Sequence, residues 1–482
     1  MLSLLYREWD KNMINQINIK ENDIVTLSII DQDYDGLGIA KLDDYLIFVK
    51  GAIVGEKVTA KIDKISKSFA FAHALTCLKK SDNRIDPKCK YFPKCGGCSL
   101  LHMKYPFTVH VKKNSFIVTM KKIAGLDVKD LIDEVIMMDY DKTKLDYDIK
   151  GFRNKIQMPV SSSNGKLIVG YYEKETHNVI DIDYCFSQSD NVNDLIKYIK
   201  NICRDLKISS YDEVTKKGII RHILIRENYL NELMVVLIIN EELKKDLIEI
   251  LKNKIINKYH NVISIIMNYN YKKNNVILGD DYKVIFGKDE IIDCILNNKY
   301  KLSHKSFFQV NRTQTNKLYS KVIEYLKDGE EDINNINVID GYCGVGSISL
   351  SIAKHVKHVY GIEVVKEAID DAIVNAKIND IHNVSFYGDK VEDKINELID
   401  KDIDCVVIDP PRKGVERSVI DSIINNRIKK VIYVSCNPAT LARDLGVLKE
   451  FYDVKKISLV DMFCYSSGIE TVCCLVKKRK QV

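Results

Sequence analysis

Three cysteines stand within ten residues of one another in the run CKYFPKCGGC: Cys89, Cys95 and Cys98, at C-x5-C-x2-C spacing. A fourth, Cys185, ends the run DIDYC. Gly96 and Gly97 permit backbone angles that other residues resist, so a loop of this kind can turn several sulfurs onto one centre. Zinc suits four thiolates; a fully ligated, structural iron-sulfur cluster is the better reading. The tighter three-cysteine spacing that leaves one iron open for radical chemistry is absent. The total of 13 cysteines is odd, which argues against a disulfide framework and for metal binding or catalysis.

A second group of residues sits at the ends of apolar runs. Val338-Ile339-Asp340 leads into GYCGVGS, whose Gly341, Gly344 and Gly346 suit a tight strand-to-helix turn. A dinucleotide fingerprint would need glycine where Ser349 stands. Glu363 follows 23 residues after Asp340, at the end of the next apolar run, where a carboxylate accepts hydrogen bonds from ribose hydroxyls. Asp389, after VSFYG, is placed to meet an adenine edge. This set describes an S-adenosylmethionine site more readily than a nicotinamide one.

Asp409 opens the run DPPRKG, and Cys436 ends the run KKVIYVSC. In adenine-N6 methyltransferases an aromatic residue that stacks on the base follows Pro-Pro, and Arg412 stands there instead, so an exocyclic amine is the less suitable target. A cysteine at a strand end beside a carboxylate and a methyl donor suits C5 of a pyrimidine. Uracil C5 is too weakly nucleophilic to attack a methyl sulfonium, but a thiolate added to C6 produces an enolate that can. A base must then remove the C5 proton before the thiol leaves. Glu470, in SSGIETV, is the candidate base.

These residues need elements to hold them. DIVTLSI, YLIFVKGA, EKVTAKIDKI and FAFAHALTCL are short β-prone runs separated by turn signals, which predicts a small β-barrel over 20–78. Residues 1–19, with the only tryptophan, Trp9, read as a loosely ordered extension. From 79 to 300, strand-like runs such as KIQMPV, HILIRE and ELMVVLII alternate with helical ones at 191–205 and 241–258, a mixed α/β region. From 301 to 482, NVIDG, HVYGIE, VSFYGD, DCVVIDPP and KKVIYVSC are buried-strand runs each followed by a helical pattern. They predict an α/β, doubly wound, Rossmann-like parallel sheet that binds its ligand at the carboxyl edge.

Of 482 residues, 46% are hydrophobic and 29% charged, which excludes global disorder and allows several cored domains. The longest apolar run, Leu233 to Ile239, is far too short to span a bilayer, and the N-terminus lacks a signal-peptide pattern, so a cytoplasmic protein is expected. The formal net charge is +6, yet Lys61 to Lys121 holds 13 Lys/Arg against Asp63, Asp82 and Asp86. A local excess of this size predicts a nucleic-acid footprint.

The phrases DGLGIAK and VKGAIVGEKV resemble the TRAM domain, an OB-like barrel that holds RNA. With Cys436, Asp409 and Glu470 added, the chain from about Lys20 to its end resembles the RNA uridine-5-methyltransferases. Within them it is most similar to the iron-sulfur branch acting on 23S ribosomal RNA. The resemblance implies a [4Fe-4S] cluster on Cys89, Cys95, Cys98 and Cys185. It implies S-adenosylmethionine contacts at Gln309 in SFFQVN, Tyr342, Glu363 and Asp409, with Cys436 as nucleophile and Glu470 as base. Phe307 or Phe308 would stack on a flipped uracil, and Phe152-Arg153-Asn154-Lys155 matches the family's aromatic-Arg-Asn-Lys motif. RNA is the implied partner, with no membrane and no obligate protein partner. Two departures stand near the base: Gly468 where the family has His, and Cys464 where Pro is common.

Overall fold

The computed structural model describes residues 19–33, 35–141, 149–329 and 332–479. The extension expected over 1–19 lies almost wholly outside the described residues. Among these residues no helix is long and apolar enough to cross a membrane.

The N-terminal unit is a six-stranded sheet of β1 (Ile24–Ser28), β2 (Asp31–Gln32), β3 (Gly38–Leu42), β4 (Tyr45–Lys50), β5 (Lys57–Ile65) and β6 (Phe69–Lys79). Its order is β1-β5-β6-β4-β3-β2. Alternation in β5 turns Val58, Ala60 and Ile62 inward against Leu27, Ile47 and Val49 and leaves Lys57 outside, and a register shift between Ile62 and Lys64 leaves Lys64 exposed as well. Not every basic residue in this stretch faces solvent. Arg84 pairs with the buried Glu56, and Lys112, in helix Tyr105–Thr119, is fully buried on Asp461 at 2.7 Å. The surface footprint is therefore smaller than the charge count of the sequence.

β7 (Ile132–Ile136) comes next in the chain, and then a seven-stranded sheet. Its strands are β8 (Lys155–Ser163), β9 (Lys166–Tyr172), β10 (Val179–Asp181), β11 (Ile220–Glu227), β12 (Leu233–Ile239), β13 (Val262–Tyr269) and β14 (Asp281–Gly287). Every residue of β11 and β12 is buried because both faces of the sheet are covered. One face packs on helices Asp190–Asp205 and Lys245–Lys258. The other carries Leu224, Met234, Val236 and Ile266 into the core of the C-terminal unit. The hairpin of β15 (Glu290–Ile295) and β16 (Asn298–Ser303) and helix Arg312–Lys327 join that same core.

The C-terminal sheet contains β17 (Asn337–Gly341), β18 (His358–Ile362), β19 (Val384–Tyr387), β20 (Ile403–Ile408), β21 (Lys430–Ser435), β22 (Tyr452–Val460) and β23 (Glu470–Lys477). Its order is β19-β18-β17-β20-β21-β23-β22-β7. β17 to β21 run parallel, and β23 inserts antiparallel between β21 and β22. The order reverses at β17, so ligand-binding groups collect at the carboxyl ends of β17, β18 and β20. The eighth strand, β7, pairs with β22 although it precedes the seven-stranded sheet in the chain. Its sequence, IDEVI, has two acidic residues at an edge and no periodicity strong enough to announce it.

Candidate active site

Cys436 lies one residue beyond β21, held in a short, fully bonded turn. The Ser435 hydroxyl accepts from the Asn437 amide at 3.1 Å, and Asn437 caps helix Pro438–Leu448 by accepting from the Ala439 amide at 3.1 Å. The Asn437 side-chain amide also donates to the Arg412 carbonyl at 2.9 Å, tying this turn to the one after β20. Proline at the first helical position has no amide to leave unpaired. The thiol is half-buried between these segments. Burial first, and then the charges of Glu470 and Asp409, push it up to about 11, while Arg412 acts in the opposite direction.

The antiparallel register brings the candidate base to the same place. Ser435 pairs with Thr471, so the next positions outward are Cys436 and Glu470. Glu470 also pairs with Val460 of β22, which leaves its side chain 4% exposed. Burial, and next the charge of Asp409, push Glu470 up to about 8, opposed by Arg412. Asp409 stands at the end of β20, where its amide donates to the Gly341 carbonyl at 3.3 Å; burial pushes its carboxyl up to about 6. Cys436, Glu470 and Asp409, the candidate nucleophile, candidate base and strand-end carboxylate, thus share one low-dielectric corner, with Arg412 as the cation acting on both Cys436 and Glu470.

The other half of the edge is built by the glycine turn. Gly344 and Gly346 have φ of +55° and +80°, and a Cβ at Gly346 would lie 3.0 Å from Phe386. Tyr342 also takes a positive φ, +67°, with its amide on the Ile362 carbonyl at 2.9 Å. A bulky residue in that region is strained, and such strain gathers at ligand sites. Glu363 accepts from the Gly344 amide at 3.3 Å and from the Val365 amide at 2.9 Å, so its carboxylate is aimed along the turn. Asp389 sits beyond β19 and pairs with Lys394 at 3.2 Å. Four acidic residues, Asp340, Glu363, Asp389 and Asp409, therefore mark four successive parallel strands. Asp340 is fully buried and accepts from the Ser349 hydroxyl; Glu363, Asp389 and Asp409 are acceptors that fit an adenosyl cofactor with hydroxyls to bind and a sulfonium charge to balance.

Gln309 lies in the loop between β16 and helix Arg312–Lys327. Asn154 donates to the Gln309 carbonyl at 3.0 Å and its amide to the Val310 carbonyl at 2.8 Å, so the aromatic-Arg-Asn-Lys segment positions the loop. Asn311 donates to the Met462 carbonyl at 2.9 Å, connecting the loop to the segment before Glu470. The two adjacent phenylalanines separate: Phe308 is 3% exposed in the core against Tyr300, whereas Phe307 is 72% exposed. Phe307 is the one available to stack on a base.

Cys89, Cys95, Cys98 and Cys185 line a single cavity of about 470 Å³ with Tyr91, Phe92, Arg153, Tyr171 and Tyr465. Burial and then the neighbouring thiols raise Cys98 to about 12. Among the described residues, no group of three or more His, Cys, Asp or Glu is arranged to hold a metal ion. A single tetrahedral zinc needs all four sulfurs ~2.3 Å from one point. The four thiols line one cavity and are not gathered on a common point in that way.

Sequence reasoning missed the residues that brace the base. Lys112 donates to Asp461 and, at 2.9 Å, to the Phe463 carbonyl, and the Ser99 and Leu100 amides donate to the Tyr465 carbonyl at 2.9 and 3.0 Å. These contacts fasten the segment leading to Glu470 onto the cysteine-bearing loop. No local signal marks them, since Lys112 and Asp461 are 349 residues apart.

Comparison with known proteins accords with this geometry. Residues 126–478 match the family model described as tRNA (Uracil-5-)-methyltransferase, and residues 20–75 match the TRAM domain. The chain is 41% identical to an uncharacterized RNA methyltransferase of Clostridium acetobutylicum over 95% of its own length and 97% of that protein. It is 36% identical to one of Staphylococcus aureus, over 94% and 98%. Among solved structures it is similar to the Pyrococcus abyssi tRNA (uracil-54, C5)-methyltransferase in complex with S-adenosyl-L-homocysteine. That match has a TM-score of 0.73 and 25% identity, covering 94% of this chain and 100% of the other. With a doubly wound methyltransferase sheet following an N-terminal barrel, the chain belongs to the tRNA (Uracil-5-)-methyltransferase family, as an S-adenosylmethionine-dependent enzyme that carries a TRAM domain.

Proposed function

We propose that the protein methylates C5 of uridine in 23S ribosomal RNA through a covalent bond between Cys436 and C6. The observation that carries this reading is the register of β21 against β23, which sets Cys436 beside Glu470 with Asp409 adjacent. Cys436, as thiolate, adds to C6 and pushes electrons toward C5. S-adenosylmethionine, when bound, supplies the electrophilic methyl group. Glu470 then takes the C5 proton, and the C6–S bond breaks to restore the aromatic ring and the free thiol. A Glu held near 8 retains a proton more strongly than an ordinary carboxylate, so it is a competent acceptor once ionised. Gln309, Tyr342, Glu363, Asp389 and Asp409 would hold the cofactor, and Phe307 would stack on the flipped base. Gly468 and Cys464 leave Glu470 in place, since its position is set by the β22 and β23 ladders.

Cys89, Cys95, Cys98 and Cys185 would hold a [4Fe-4S] cluster in their cavity, where it would brace the fold around the RNA-binding surface. The barrel over 20–78 would bind RNA, followed by a central region to about 300 and the methyltransferase domain. A cytoplasmic location follows from the substrate.

A transfer RNA substrate is the second reading, favoured by the overall likeness to the Pyrococcus abyssi enzyme. The ribosomal reading rests on the resemblance of the chain to the iron-sulfur branch of the family. Mapping 5-methyluridine in ribosomal and transfer RNA from cells with and without the protein separates them. A residue lost only from transfer RNA would overturn the ribosomal assignment.

A further inference from the structure

β8 and β11 are antiparallel neighbours, and Lys155 is the register partner of Arg226. Directly opposed residues project from one face of a sheet with Cβ atoms ~4.5–5.5 Å apart, and like charges placed so repel. The flanking residues Ile156 and Ile225 point into the helical-side core. By alternation, Lys155 and Arg226 lie on the opposite face, the one turned toward the methyltransferase sheet.

Arg226 is 3% exposed; its Nη2 donates to the Ser306 carbonyl, and its Nε has no partner among the described residues. Burial, and then Arg226, pull Lys155 down to about 7. His304, 1% exposed and with Nδ1 unpartnered, feels Lys305, Arg226 and Lys155 on one side of the balance and Asp289 on the other. Asp293 is the carboxylate that acts on Arg226, but it is already held by Arg312 at 2.8 and 3.1 Å. Two basic side chains thus stand side by side at a sheet end, and among the described residues neither has a carboxylate hydrogen-bonded to it. Such a pair lowers stability unless an anion joins it.

We propose that Lys155 and Arg226 form an anion subsite for a phosphodiester of the RNA strand beside the target uridine. This rests on the RNA reading above. The occupant follows from what surrounds the pair. Ser306, gripped by Arg226, immediately precedes Phe307, the exposed aromatic, and Gln309 lies two residues further on. A base stacked on Phe307 brings its own backbone to this loop. Lys155 is half-buried and carries the ammonium that meets a phosphate oxygen, and Arg226 beside it, 3% exposed with its Nε buried, adds positive charge behind that contact.

The test is equilibrium binding of a short single-stranded RNA containing one uridine to the full-length protein over a series of salt concentrations. Wild type is compared with Lys155→Met, which preserves the length of this half-buried side chain. Loss of one phosphate contact should reduce the slope of log K against log salt by about 0.7. Replacing the flanking phosphodiesters one at a time by neutral methylphosphonates should weaken wild type at one linkage and leave Lys155→Met indifferent to that linkage. Binding of S-adenosylhomocysteine should not change. An unchanged salt slope with RNA binding intact would remove the subsite alone. Lost S-adenosylhomocysteine binding would reassign the cations to the cofactor's carboxylate. No salt-dependent RNA binding by wild type would remove the RNA reading, and the subsite with it.

Discussion

Cys436 and Glu470 are cross-strand neighbours, one step beyond the Ser435–Thr471 pair that joins β21 to β23. The carboxylate is, after burial, the larger of the two negative charges that hold the thiol above its ordinary value. Where it is ionised, a carboxylate this close disfavours the thiolate. The two roles can therefore be separated by where each variant stops.

Cys436→Ala should form no covalent adduct with RNA. Glu470→Gln should still add to C6 and accept the methyl group, then stall, because the C5 proton has no acceptor. Denaturing electrophoresis should show a methylated protein–RNA complex for Glu470→Gln. Normal turnover by that variant would mean that another group serves as base, and an adduct with Cys436→Ala would overturn the mechanism.

Adduct formation with 5-fluorouridine RNA should accelerate with pH. Burial and the neighbouring carboxylates push the thiol up to about 11, so below that value its thiolate fraction rises about tenfold per unit. Glu470→Gln removes a charge that is present only above about 8. The variant should therefore outpace wild type at pH 9, and the two rates should converge at pH 6. Identical rates at both pH values would show that the two groups are not electrostatically coupled.

Stability should carry the same signature. Below pH 4.5 Glu470 is protonated folded or unfolded and has no effect. As pH rises toward 8 the unfolded chain releases the proton while the folded protein retains it, so stability falls, and above 8 the loss levels off. Each unit of the window is worth about 1.4 kcal/mol. Glu470→Gln escapes this loss, so its melting temperature should rise relative to wild type between pH 5 and pH 8. A constant difference would place Glu470 in solvent.

Glu363→Ala should weaken S-adenosylhomocysteine binding, by removing a ribose acceptor and by freeing the Gly344 and Val365 amides it holds. The hydrogen bonds concerned are to a charged group, each worth about 1.5–3 kcal/mol, so a loss of tenfold or more is expected in calorimetry. Unchanged affinity would refute the cofactor assignment of the glycine turn.

Protein purified without oxygen should be brown and contain about four irons, as a [4Fe-4S] assignment implies. Cys95→Ser should bleach it. Colourless protein with stoichiometric zinc would replace the cluster with a metal ion.

Local sequence was enough to place the candidate residues at strand ends. Asp340, Glu363, Asp389, Asp409 and Cys436 each close an apolar run, and in a parallel sheet such residues gather at one edge whatever the loops do. The cysteine spacing was equally local, since three of the four ligand candidates fall within ten residues. Tertiary structure decided what depends on pairing between distant segments. Glu470 becomes the neighbour of Cys436 only because β23 inserts antiparallel beside β21, and the register alone sets which carboxylate meets the thiol. The choice between Phe307 and Phe308, the burial of Lys112 on Asp461, and the recruitment of β7 to the far edge of the sheet are likewise set by packing. A side chain's exposure and an ion's partner are properties of the folded neighbourhood, and no window of the chain contains them.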